Sequence, residues 1–328
     1  MALHVVLGKG PIGRTLARRL ATDGDDVLVL SRSGGDPDVG PGTAPTRGTV
    51  RGEALDATDA AALAAAARGA TAIHNCANPP YHRWASDWPP LAESLLAAAE
   101  RTGAVLVAAG NLYGYGAGTQ VMTEDSPLRS TETKGRVRAG MWLEARRRHE
   151  AGVLRATEVR GSDYLGPGAE EHAHAGPRML RPLLAGRTLR PVGSADEPHT
   201  WTYLPDFASA LAAAARTPAA WGRAWHVPSP EPLTFRELAR RFATAAGAPE
   251  PRVAAVPMAV LRAVGVLDPM LRELARTGYQ FTEPFVMESA ASQAVLGVAP
   301  TGWDAIVAET LAAWSAAGSV PERTGGRP

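Results

Sequence analysis

The sequence predicts an α/β fold: a doubly wound parallel sheet with a smaller C-terminal substrate lobe. Three observations carry that expectation. An apolar, β-branched run at 3–7 passes through a glycine turn, G-K-G-P-I-G at 8–13, into an amphipathic helix. Short apolar runs and helical segments then alternate as far as about residue 160, as βα units do. Beyond Gly161 prolines and glycines become frequent and the apolar runs shorten.

The elements follow in order. In the first helix Ile12, Leu16 and Leu20 recur on one face while Arg14, Arg18 and Arg19 lie elsewhere, so the helix packs on a sheet. A second strand, 27–30, runs into Ser31-Arg32-Ser33, and a polar, glycine- and proline-rich stretch at 34–48 separates it from a short strand at 49–53. The alanine-rich stretch 60–68 is a helix by propensity. A fourth strand at 70–77 ends at Asn78-Pro79-Pro80. A helix at 91–101, a strand at 104–109, a glycine-broken loop through Gly118, an arginine-rich helix at 134–150 and a strand at 153–159 complete the first half. In the second half a polar loop spans 166–177, and runs at 201–208 and 225–228 read as short strands that return to the main sheet. Helices are expected at 234–247, 256–267 and 301–316, and a frayed polar tail from 318. The domain reading is a dinucleotide-binding unit at 1–165 with 199–228 returning to it, a substrate lobe at 166–198 and 229–317, and a tail at 318–328.

The glycine turn carries the first functional inference. G-x-G-x-x-G after a strand and before a helix is the Rossmann dinucleotide signature. Gly8 allows the tight turn, Gly10 lets the backbone approach a pyrophosphate, and Gly13 lets helix and strand pack closely. Pro11 suits the first helical turn, and the free N–H groups of Ile12 and its neighbours, with the positive end of the dipole, hold phosphate. Folds selective for NAD(H) place an acidic residue at the end of the second strand. Here Ser31, Arg32 and Ser33 stand instead, and a guanidinium between two hydroxyls suits the 2'-phosphate of NADP(H). A solvated loop arginine is the alternative reading.

Composition excludes several classes. With 34 basic and 33 acidic residues the net charge is +1, which gives nucleic acid and anionic membranes no electrostatic purchase. One cysteine, Cys76, rules out an internal disulfide framework and suits a reducing compartment. No window reaches the ~18 apolar residues of a spanning helix, so a cytoplasmic location is expected.

Five further motifs, in order, give a family resemblance: Leu112-Tyr113-Gly114, Thr123-Glu124-Asp125-Ser126-Pro127-Leu128, Gly166-Pro167-Gly168, Tyr203-Leu204-Pro205-Asp206-Phe207-Ala208, and Leu296-Gly297 with Pro300. With the glycine turn they make the chain resemble the extended, atypical short-chain dehydrogenase/reductases, the NAD-dependent epimerase/dehydratase family. The resemblance implies a sheet that binds NAD or NADP and a lobe that holds a nucleotide sugar or another small carbonyl or alcohol substrate. It also implies cofactor contacts at Asp56, Cys76, Ala77 and Asn78, and a possible homodimer through a helix bundle.

The departures are as informative. The family's serine falls on Ala109, and its Y-x-x-x-K pair falls on Lys134 and Arg138. Lys9 and Lys134 are the only lysines, one in the turn and one at the tyrosine position. A semi-buried lysine among cations can titrate near neutrality, which arginine does not. Lys134 is therefore expected to donate the proton and to contact cofactor, Arg138 to hold the nicotinamide ribose, and Lys9 to assist Arg32; a solvated helix face is the plainer reading of Lys134. Asn111 and Tyr113 follow the fifth strand and are further catalytic candidates, with Tyr81, His82 and Tyr164 as substrate contacts. His172 and His174, near Glu170 and Glu171, lack further ligands at convincing spacing, so no metal site is expected. Two functions fit: an NADP(H)-dependent reductase or epimerase acting on a small carbonyl, alcohol or sugar-like substrate, which is preferred, and a non-catalytic NADP(H) sensor.

Overall fold

The computed structural model describes residues 1–38, 46–119, 121–171, 173–266, 269–316 and 318. In chain order the elements are β1 (Leu3–Leu7), α1 (Pro11–Asp23), β2 (Asp26–Ser31), β3 (Val50–Ala54), α2 (Ala60–Ala66), β4 (Ala72–Asn75), α3 (Trp84–Thr102), β5 (Val105–Asn111), β6 (Val121–Met122), α4 (Thr133–Glu150), β7 (Ala156–Gly161), β8 (Asp163–Leu165), α5 (Pro177–Leu184), β9 (Trp201–Tyr203), α6 (Leu204–Arg216), β10 (Ala224–His226), α7 (Phe235–Ala245), α8 (Met258–Val264), α9 (Pro269–Arg276), β11 (Val286–Met287), α10 (Ala290–Leu296) and α11 (Trp303–Ala316). Seven strands form one sheet in the order β10-β7-β5-β4-β1-β2-β3. Every pairing in it is parallel. The order reverses between β1 and β4, and in an open parallel sheet that reversal leaves a crevice beyond the carboxyl ends of the strands.

The sheet interior is apolar on both faces, as a parallel sheet under helices requires. On one face Val6, Val29 and Val107 pack with Leu16 and Leu20 of α1 and Phe207 and Leu211 of α6. On the other, Val5, Leu28 and Leu106 pack with Leu63 of α2 and Trp88, Leu95 and Leu96 of α3. Each buried leucine contributes about 2 kcal/mol relative to exposure. A separate cluster, with Leu180, Leu238, Phe242, Ile306 and Trp314, is the core of the C-terminal helices.

Several boundaries differ from expectation for physical reasons. The run 201–208 is not a main-sheet strand: β9 pairs with β8 in a two-stranded sheet, and Pro205 in the first turn of α6 lets the chain enter a helix at Leu204. The run 225–228 does reach the main sheet, as its edge strand β10. α3 begins at Trp84 rather than at 91 and runs through Pro89 and Pro90, because Trp84, Trp88, Leu91 and Leu95 bury one face of it. The expected helix 256–267 is α8 alone, followed by a separate α9, and residues 267–268 lie outside the described set. Helices α5 and α10, of eight and seven residues, and the two-residue β6–β11 pair are too short to be read from sequence, and Pro182 inside α5 argues against a helix there. Of the expected tail at 318–328, only Gly318 is described. No described helix is long and apolar enough to cross a membrane.

Candidate functional site

A cleft of about 1180 Å³ opens at the carboxyl ends of the strands, where the strand order reverses. Its floor is the glycine turn. Gly8 has φ +105°, and a Cβ there would meet the Cys76 carbonyl oxygen at 2.7 Å; on Gly13 it would lie 2.0 Å from the Gly8 oxygen. A Cβ on Gly10 would meet nothing within 4 Å, so its outward face is open to the cleft. Gly10 caps α1 without a side-chain bond and Pro11 starts the helix, so the N–H groups of the first turn face the cleft unpaired by any cap. This geometry fits a pyrophosphate, with close packing beneath and open space above.

The outer end of the cleft is lined by Lys9, Ser31, Arg32, Ser33, Asp56 and Thr58. Lys9 Nζ donates to the Gly34 carbonyl at 2.8 Å, which ties the glycine turn to the loop that follows β2. Arg32 and Ser33 are exposed. Thr58 donates through its N–H at 3.0 Å and its hydroxyl at 2.8 Å to Asp56, and with nearby Arg32 it holds that carboxyl below its usual range. Cys76, Ala77 and Asn78 line the wall after β4; burial pushes the Cys76 thiol up to about 12, so it stays protonated and inert.

The inner end is lined by Tyr81, Asn111, Tyr113, Arg138 and residues 161–164. Tyr81 donates to the Tyr113 hydroxyl at 3.3 Å and shares a hydrogen bond with Thr277 at 3.1 Å. Burial raises the pKa of both phenols, Tyr113 most strongly, so both are neutral. Asn111 Oδ1 accepts the Tyr113 N–H at 3.2 Å. Arg138 donates to the Ala109 carbonyl, its guanidinium lies 5.1 Å from the Trp88 ring, and Glu158 stands 3.8 Å away. Glu158 in turn pairs with Arg160 at 2.8 Å, and Gly110 leaves room for that carboxylate, since a Cβ there would come within 2.5 Å of it.

Three expected residues stand off the cleft wall: Gly13, which packs beneath it against the Gly8 carbonyl, Lys134 and His82. Lys134 is buried with only 4% of its side chain exposed; its ammonium pairs with Glu273 of α9 and sits 4.1 Å from the Tyr81 ring centroid. Burial lowers its pKa, while Glu273 opposes the shift. The tight turn at Tyr81–Arg83 directs the Tyr81 ring inward against Trp84 and Tyr113 and leaves His82 exposed, outside the cleft lining. Tyr164 does line the cleft. His174 packs against Phe281 at 4.7 Å in an aromatic stack, with burial pulling its pKa down to about 4, while His172 lies outside the described residues.

The sequence reading missed Ser162 and Asp163. Asp163 Oδ2 lies 2.9 Å from His199 Nε2, with 24% of the aspartate side chain exposed to the cleft and His199 buried. Burial pushes the Asp163 carboxyl up, yet the pairing with His199 leaves it below its usual value. The polar run before Gly166 was the available signal, but its partner comes from a remote segment of the second half.

A seven-stranded doubly wound sheet with a glycine turn at its switch point defines a Rossmann protein of the dinucleotide-binding class. The chain belongs to the NAD dependent epimerase/dehydratase family, whose model matches residues 5–227. Among solved structures it is similar to MoeE5 in complex with UDP-glucuronic acid and NAD, at 19% identity and a TM-score of 0.75 over 96% of this chain and 99% of that one. The dTDP-glucose 4,6-dehydratase DesIV of Streptomyces venezuelae, with NAD bound, is 24% identical with a TM-score of 0.71 over 96% and 97%. The UDP-glucose 4-epimerase of Thermotoga maritima is 15% identical with a TM-score of 0.75 over 96% and 99%. No curated protein matches the sequence.

Proposed function

We propose that the chain is an NADP(H)-dependent oxidoreductase or epimerase-like enzyme that acts on a small carbonyl, alcohol or sugar-like substrate through a non-standard catalytic site. The observation that carries this reading is a single cleft joining the glycine turn and Arg32 at one end to Tyr81, Asn111, Tyr113 and Asp163 at the other. Family membership supports an enzyme, and the sugar nucleotides held by the solved relative MoeE5 support a polyhydroxylated substrate.

The residues present fit the cofactor. Gly8 and Gly10 cradle the pyrophosphate over the closely packed Gly13, Ser31, Arg32 and Ser33 take the 2'-phosphate with Lys9 behind them, and Asp56, Cys76, Ala77 and Asn78 line the remaining walls. The relatives MoeE5 and DesIV are seen with NAD, whereas the end of β2 here offers a cation and no carboxylate. When bound, the nicotinamide supplies the hydride exchange, and the rest falls to side chains. Asn111 and the neutral phenols of Tyr81 and Tyr113 offer hydrogen bonds to a substrate oxygen as charge develops on it. Arg138 places a fixed cation beneath them, where the family's ribose-binding lysine stands. Lys134, beside Tyr81, becomes available as proton donor when its Glu273 pair opens.

Fluorescence titration with NADPH and NADH tests the cofactor. NADPH binds tighter, and Arg32→Ala weakens NADPH about tenfold while leaving NADH unchanged, the worth of one charge-assisted phosphate contact. Tighter NADH binding by the unaltered protein would sink the assignment. One observation favours the sensor reading: Ala109 offers no hydroxyl, and both Lys134 and Arg138 already have protein partners. A protein that binds NADPH yet oxidises it with no aldehyde, ketone or sugar would be that sensor.

A further inference from the structure

Four cationic side chains line the cleft; three of them stand away from the substrate half, and the fourth, Arg138, lies at its inner end engaged by the Ala109 carbonyl and faced by Glu158. Lys9 is bonded to Gly34 and Arg32 stands at the end of β2, both at the outer end. Arg83 pairs with Asp87 at 3.0 Å on the rim, and Arg138 is bonded to the Ala109 carbonyl. The substrate half is lined by Ser162, Asp163, Tyr164, Phe207, Gln280 and Phe285, together with Tyr81 and Tyr113. Its one formal charge among these residues is negative. Asp163 has His199 as its ion-pair partner, at 2.9 Å, and no arginine or lysine pairs with it among the described residues.

A buried carboxylate seeks a donor or a positive charge, and it repels an anion more strongly in a low-dielectric cleft than in water. A diphosphate entering this half would bring two or more negative charges toward Asp163, and the one cation at that end, Arg138, is bonded to the Ala109 carbonyl and shares Glu158 with Arg160. A hydroxyl or an ammonium would instead complete the carboxylate's hydrogen bonding. We propose that the substrate half takes a small, phosphate-free polyol or amino sugar that presents a donor to Asp163, and that Asp163 discriminates against nucleoside diphosphate sugars. This rests on the reading of the cleft as a joint dinucleotide and substrate site.

The test uses the full chain saturated with NADP⁺ and measures binding of glucosamine, glucose, glucose 1-phosphate and UDP-glucose by ligand-observed NMR, with and without Asp163→Asn. In the unaltered protein glucosamine binds at least about tenfold tighter than glucose 1-phosphate, and Asp163→Asn removes that preference. UDP-glucose binding as tightly as glucosamine, a ranking unchanged by Asp163→Asn, or no binding by any of the four overturns the proposal. Failure to bind NADP⁺ at all would fell the dinucleotide reading instead, which keeps the two apart.

Discussion

At the residue scale, the glycine turn separates packing from recognition. Gly13 presses on the Gly8 carbonyl, so Gly13→Ala forces the strand and helix apart and costs about 1–3 kcal/mol, the usual range for overpacking. Gly10 is in extended backbone, with φ −74° and ψ −177°, and its missing Cβ faces open space, so Gly10→Ala changes stability by less than about 0.5 kcal/mol. The same methyl occupies the approach of a pyrophosphate, so NADPH affinity falls while thermal unfolding stays put. A Gly10→Ala variant that unfolds early, or that binds NADPH as well as the parent, contradicts this division. The tight turn at Gly8 and the close packing at Gly13 were legible in the sequence because the turn and the helix start that set them lie within a few residues of each other. Asp163 was not legible, because its chemistry comes from His199, which β8–β9 pairing brings alongside from a distant segment. The pairing of Lys134 with Glu273 was hidden for the same reason: the sequence marks an unusual lysine but not the helix that answers it.

At the element scale, helical and strand periodicity located the main sheet, while the elements that shape the substrate side depend on tertiary burial. α3 tolerates two interior prolines because its tryptophans are buried, and α6 begins where β9 was expected to continue because Pro205 fits a first turn. α9 has the most direct consequence for the site. Glu273 joins it to α4, and Thr277, just beyond its end, meets Tyr81 on the cleft wall. Removing one partner of a buried pair leaves an uncompensated charge at about 3–5 kcal/mol, whereas replacing both with apolar groups is often nearly neutral. With Glu273 18% exposed, the single cost falls toward the lower end of that range. Lys134→Met and Glu273→Met each lower the denaturation midpoint, and the double variant recovers most of the loss. Additive losses in a double-mutant cycle would show that the pair is not coupled.

At the scale of the whole molecule, buried histidines are spread through both halves. His4 and His74 share a 3.0 Å hydrogen bond inside the main sheet, His226 joins Tyr115 at 2.7 Å on its edge strand, and His174 lies in the aromatic stack of the C-terminal lobe. Burial is the leading cause that depresses all four, with His4, His174 and His226 pulled from 6.5 down to about 4. Asp25, 3.4 Å from His4, opposes the shift without cancelling it. Each imidazole is therefore neutral in the fold yet takes up a proton near pH 6.5 once the chain unfolds. Their contribution is fully present above that value and is lost as pH falls toward 4, at up to about 1.4 kcal/mol per pH unit for each. The carboxylates with lowered values, Asp25 and Asp163 among them, titrate below this window and do not mask the effect. Calorimetric unfolding temperatures consequently fall between pH 7 and pH 5, while the histidines protonate on unfolding in both halves. A midpoint that holds level or rises over that interval would mean that these imidazoles are not neutral in the folded protein.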